Sequence, residues 1–284
     1  MKHILIVLVV LLSFSVKAQN TEKLSKEIND EGIALYRSEM ASWNGTDIFI
    51  ENYKNRENIG GYFSYLDKDI PKCIFFSKDE KVIGTISFPA NYNPKDAKLD
   101  LNERDFTLQE TEYFTIRQNA LKKIKNDTIF TVYKDTSFNI VPLIRNKVSK
   151  VYVLTGHSDG NVVVFGNDYL ITFDHNNEVK NVEKLHNSMI VQKINDEKTG
   201  QTVSGVHSHV IENWQTITPT DICTLMLYQN FTGWEGYTTV SKKFVSIWNS
   251  NNNLVIMKTE NFKSMSENIL KNKKDKSQPE KGEQ

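Results

Sequence analysis

Two histidines and an aspartate carry most of the chemistry this sequence offers. His207 and His209 alternate within Gly205-Val-His-Ser-His-Val-Ile211, and Asp221 follows in Thr218-Pro-Thr-Asp221-Ile-Cys-Thr-Leu-Met-Leu-Tyr228. The first run reads as a strand over Thr202–Ile211, in which residues i and i+2 share a face, so both imidazoles can aim at one point. The second reads as a helix over Pro219–Asn230, with Asp221 in its first turn. Two imidazoles and a carboxylate around one point, with a position left open, form a common catalytic zinc shell. The same residues also read as ordinary structure. Thr218 can serve as N-cap, Pro219 as N1 and Asp221 as the N3 member of a capping box, and the histidines can be hydrogen-bonded groups on a half-buried strand. Of the others, His157 and His175 lie in polar turn sequences, whereas His186 precedes a strand over Ser188–Ile194 and could face the same point.

The elements that must position these groups begin after a leader. Met1-Lys2-His3, the apolar run Ile4–Leu12 and the small-residue end Val16-Lys17-Ala18 have the form of a secretory signal peptide over residues 1–18, with Gln19 as the mature N-terminus. The expectation is an exported protein, secreted or periplasmic, with no integral membrane segment after cleavage. The chain has 35 basic and 35 acidic residues; removing Lys2 and Lys17 leaves 33 against 35, a formal charge of −2. That balance gives no electrostatic footprint for nucleic acid. Cys73 and Cys223, the two cysteines, each sit in apolar surroundings and read as buried thiols rather than a disulfide framework.

Residues 19–126 read as an N-terminal α+β region. A helix over Glu22–Trp43, stopped by Asn44-Gly45, leads into an antiparallel meander of Tyr62–Leu66, Lys72–Ser77 and Val82–Phe88. A polar loop follows over Pro89–Glu110, then a helix over Thr111–Lys125. Residues 127–260 form the second expected domain, after a boundary near Asn126–Val148. Its strands are Ile129–Tyr133, Val151–Thr155, Asn161–Phe165, Tyr169–Phe173 and Ser188–Ile194, then the His-x-His strand, the Pro219 helix, and Tyr237–Val240, Phe244–Trp248 and Leu254–Lys258. Gly156–Gly160 and Gly166–Asp168 read as hairpin turns, and the stretch around Glu178 and Glu183 as a polar connector. Residues 261–284 give a last helix over Asn261–Leu270 and a disordered, charged tail from Lys271. The fold class expected is α+β.

His207-Ser208-His209, then Thr218 three residues before Asp221 and an apolar helix, resembles the JAB/JAMM (MPN) metallopeptidase motif, which runs Glu, a long gap, His-Ser/Thr-His, then Ser-x-x-Asp. The resemblance spans roughly Lys150–Met257. It implies a mixed sheet flanked by helices, zinc on His207, His209 and Asp221, a water in the fourth position, and Thr218 in place of the serine that supports the oxyanion. It further implies hydrolysis of peptide or isopeptide bonds in a peptide or protein substrate. The spacing from His209 to Asp221 is one residue longer than the commonest form, and Val210 replaces the usual proline. The family's glutamate base has no counterpart between Val151 and Phe165, where Asp159 is the one carboxylate. That absence frames the alternative, a non-catalytic exported interaction protein on the same fold. No Gly-x-Ser-x-Gly elbow, P-loop or dinucleotide fingerprint occurs.

Overall fold

The structure, a computed structural model, describes the backbone of residues 2–89, 93–196, 200–201 and 204–276, and the side chains of residues 20–89, 93–194 and 204–271. It is an α+β fold. Helix α1 (Lys2–Asn52) leads to strands β1 (Ile59–Asp67), β2 (Ile70–Ser77), β3 (Val82–Ser87) and β4 (Lys98–Asp100), then helix α2 (Leu108–Asn126). Strands β5 (Thr136–Arg145), β6 (Val148–His157), β7 (Val162–Gly166), β8 (Tyr169–Phe173), β9 (Val179–Lys184) and β10 (Met189–Lys193) follow, with the short pair β11 (Asn195–Asp196) and β12 (Gly200–Gln201). Last come β13 (Ser204–His209), α3 (Pro219–Thr232), β14 (Gly236–Ser241), β15 (Phe244–Asn249), β16 (Leu254–Lys258) and α4 (Thr259–Lys276).

Three four-stranded sheets result, ordered β1-β2-β3-β4, β5-β6-β8-β9 and β13-β14-β15-β16, with β7 and β10 forming a ribbon of their own. The first two are antiparallel. The third is mixed: β13 and β14 are parallel and joined through α3, and the remaining pairs are antiparallel. Helix α1 is shared by the layers. Its Ala34 and Leu35 pack with Val141 and Leu143 of β5 and Cys223 of α3, and its Ala41 and Phe49 pack with Cys73 and Phe75 of β2. The regions expected on either side of residue 126 therefore share one of the core clusters. Both cysteines are buried and free.

Several expectations are corrected. Asn44-Gly45 does not end α1, because the helix is held against β2 there: a Cβ on Gly45 would lie 2.8 Å from Cys73 Cβ, and Asn44 donates to Met40 O at 2.9 Å. The polar loop after β3 contains β4, and α2 begins earlier, because Thr107-x-x-Glu110 is a complete capping box. Residues 129–133 form no strand; Thr131 N donates to Tyr169 Oη and Thr131 O accepts from Asn167 Nδ2, so side chains take the place of a ladder. The expected boundary is occupied by β5, which tolerates Pro142 because it is a sheet edge. The turns at 156–160 and 166–168 do not close hairpins: β6 pairs with β8, and β7 leaves that sheet to pair with β10. The polar connector contains β9. Helix α4 continues past Lys271 to Lys276, and the rest of the expected tail lies outside the described residues. So do the side chains of the expected leader, whose backbone from Lys2 is the start of α1. Among the described residues no helix is long and apolar enough to cross a membrane.

Two contacts hold the frame that carries the site. Helix α3 lies directly on α1 at Gly32, where a Cβ would fall 2.4 Å from Ile222 Cβ and 3.0 Å from Pro219 O. Replacing Gly32 with alanine forces the helices apart, with an expected loss of about 1–3 kcal/mol, typical of overpacking, checked by urea denaturation. The second contact is Arg104, whose guanidinium grips buried Glu110 through two bonds of 2.7 and 2.8 Å and also reaches Thr85 of β3. Burial works against charge on Glu110, but Arg104 and the Thr107 N–H together hold its carboxyl below the ordinary value of 4.5. Glu110→Gln should cost about 2–3 kcal/mol, less than a fully buried pair because Arg104 keeps access to water. The lowered folded value makes this contribution complete above about pH 4.5 and lost as the pH falls further. Urea curves at pH 7 and pH 3 should show a wild-type advantage only at the higher pH.

Candidate metal centre

Strand β13 is inverted relative to the usual rule that apolar residues face inward. Val206 is 67 % exposed, whereas His207 and His209 are 7 % and 4 % exposed. The alternation places both histidines under the C-terminal end of the strand. There α3 begins, and Asp221 is 1 % exposed. The three residues singled out in the sequence are thus brought together, and a fourth joins them: His186, from the connector between β9 and β10. The side chains of His186, His207, His209 and Asp221 form one buried group whose nearest nitrogen and oxygen atoms all lie within 4.8 Å of one another.

The separations are compatible with a coordination shell. His207 Nε2 and His209 Nε2 are 2.8 Å apart, and His186 Nε2 is 3.1 Å from His209 Nε2. Asp221 Oδ1 is 3.2 Å from His186 Nε2 and 3.6 Å from His207 Nε2, while Asp221 Oδ2 is 3.3 Å from His209 Nε2. Ligands about 2.0–2.1 Å from a tetrahedral ion stand roughly 3.3 Å from each other, which is the middle of this set. Asp221 Oδ1 is buried and makes no hydrogen bond despite these neighbours.

Outer contacts fix which nitrogen faces in for His186 and His207, whereas His209 Nδ1 is buried without a hydrogen-bond partner. His186 Nδ1 donates to Asp168 Oδ1 at 2.6 Å, so Nε2 is the nitrogen that faces inward. His207 Nδ1 meets Tyr237 Oη at 3.3 Å, and that hydroxyl donates onward to Gln192 Oε1. Asp168 also accepts from Thr220 of α3. The turn holding Asp168 is packed hard on the His186 connector: Gly166 has φ +78°, and a Cβ there would lie 2.2 Å from Ser188 O. Leu185 N donates to Asp168 O.

Thr218 is fully buried and does what the capping box requires. Its hydroxyl accepts from Asp221 N and sits 2.8 Å from both Asp221 Oδ2 and Thr220 Oγ1. Of the carboxylates considered as a base, Asp159 accepts from Asn161 N in an exposed turn. Glu183 accepts from Trp214 Nε1 and Asn181. Among the described residues the group that could hold a metal ion contains no glutamate. Asp168 was the residue sequence patterns missed: its neighbour His186 is eighteen positions away, and only the β8–β9 pairing brings the two together. His175 stands in an exposed turn, as its sequence suggested, whereas His157, expected in a turn, is the half-buried last residue of β6, where its Nδ1 accepts from Asp159 N.

Electrostatics set the protonation of the metal-free group. Burial pushes His207 down to about 4. Burial also opposes charge on His186, but Asp168 and Asp221 outweigh it and raise this histidine well above its ordinary value. The same imidazoles outweigh burial at Asp221 and hold its carboxyl well below its own. Compared with known proteins, the chain matches no protein-family model, no curated protein and no solved structure.

A metal entering this group must displace the proton held on His186, because a ligating imidazole is neutral at the coordinating nitrogen. Uptake should release roughly one proton per ion near neutral pH, and affinity should fall as the pH is lowered. Calorimetric titration of the metal-free protein in buffers of different ionisation enthalpy measures that number directly.

Proposed function

We propose that this chain is an exported zinc protein in which the metal is a structural tie, and that it works as a non-catalytic interaction protein with a peptide or protein partner. The observation that carries this is the closed donor set. Four buried side chains occupy the four corners of the group, each no more than about a twentieth exposed. Structural zinc sites are closed in this manner, and catalytic ones keep a corner open for water. Three imidazoles and one carboxylate at tetrahedral spacing favour zinc over the oxygen-loving cations. The signal-like residues 1–18 support export, to the periplasm or beyond.

A second proposal is the zinc hydrolase of peptide or isopeptide bonds that the JAB/JAMM resemblance implies. It is favoured by the placing of the His-x-His strand and Asp221 on one parallel β13–α3–β14 unit. On this view Thr218 would support the oxyanion, and the general base would have to come from elsewhere.

Metal content of the chain from Gln19 onward, prepared without a polyhistidine tag, separates these ideas. Near-stoichiometric zinc that is lost in Asp221→Ala is expected, together with a fall in Tm on chelation. At free metal a thousand times Kd the ion adds about 4 kcal/mol, or roughly 8–16 °C in a chain of this size. No turnover of peptide libraries by the loaded protein is expected; zinc-dependent cleavage would establish the hydrolase instead. Absence of zinc after reconstitution would reject both.

A further inference from the structure

Three of the four inward-facing groups belong to one unit. His207 and His209 lie on β13, and Asp221 on the helix that follows it. His186 is different. It comes from an irregular connector that links the β5-β6-β8-β9 sheet to the β7–β10 ribbon. Its ring is placed by a separate device: Asp168, set in the 166–168 turn, holds Nδ1 at 2.6 Å with one oxygen and binds Thr220 of α3 with the other. The carboxylate thus spans the two layers and leaves His186 one orientation, with Nε2 in the corner beside His209 and Asp221 Oδ1. That corner is where an ion held by the other three residues would take up water.

We propose that His186, aimed by Asp168, is the closing ligand of this centre, and that the three β13–α3 residues form an open, ligand-accepting site once it is removed. The proposal rests on the metal reading above. It assigns His186 the part of an internal blocking ligand and Asp168 that of a positioning residue. The chemical class admitted in its absence is a small monodentate donor: water, hydroxide or a neutral imidazole. In the intact protein the fourth corner is filled from within, so the metal has no water to activate.

The test uses the cobalt(II)-loaded protein, whose visible spectrum reports the number and kind of ligands, with imidazole as the probe. The wild-type spectrum should be unchanged by imidazole. His186→Ala should show an altered spectrum, bind imidazole saturably and return to the wild-type spectrum when saturated. Asp168→Asn keeps the ring and guards against a variant that fails to fold. It should bind cobalt about 10–100-fold more weakly and become sensitive to imidazole. The proposal is overturned if wild type responds to imidazole as H186A does, if the H186A spectrum equals that of wild type, or if D168N matches wild type in both affinity and insensitivity. If wild type takes up neither cobalt nor zinc, the metal reading itself fails. Metal uptake with a failed imidazole arm removes this inference alone.

Discussion

The constraint on which the structure turns is the convergence of three imidazoles and a carboxylate at one buried point. Three Nε2 atoms and a carboxylate oxygen approach to between 2.8 and 3.6 Å. The Nδ1 contacts of His186 and His207 direct those protons away from it. In the metal-free protein the proton held on His186 lies among these groups, and buried charge is tolerated where it is paired or coordinated. The fold fixes the four side chains from every side. The capping box pins Asp221 from below, and the parallel pairing of β13 with β14 holds the histidine strand. The 166–168 turn presses on the connector of His186. Helix α1 backs α3 so closely that no side chain fits at Gly32.

Closure and resemblance pull toward different functions, and the structural role proposed for the metal follows the donor count. A His-x-His strand leading to an aspartate at a helix start suits a catalytic zinc. The same geometry with a buried fourth ligand suits a tie between layers. What the fourth ligand adds is topological: the first three side chains come from 15 consecutive residues, and an ion on them alone would stitch a strand to its own helix. His186 extends the stitch to the neighbouring sheet, which is the contribution expected of a structural metal.

The helices, the first meander and the last three strands were legible because each carries a local signal: helical or alternating periodicity, or a polar turn between apolar runs. The misreadings arose where tertiary contact overrides that signal. Gly45 looks like a stop and is a close approach to Cys73. Pro142 discourages a strand and sits on a sheet edge. The 156–160 and 166–168 turns have the right residues for hairpins but send the chain to another sheet. For the site, spacing within one strand–helix unit identified His207, His209 and Asp221. No spacing identifies Asp168 with His186, since their contact depends on which strands pair.

The structural and functional readings of Thr218–Asp221 are parts of one arrangement. A carboxylate at N3 is drawn to the positive end of its helix, and by itself that would spend Asp221 on capping. Here the two oxygens divide the work. Oδ2 accepts from the Thr218 N–H and hydroxyl, at 2.9 and 2.8 Å. Oδ1 is left buried and unbonded among the imidazoles. The cap fixes the rotamer and absorbs the helix's partial positive charge on one oxygen, so the other can meet a cation without competition from backbone N–H groups. The ordinary helix start is therefore what leaves Oδ1 of the aspartate available to a cation.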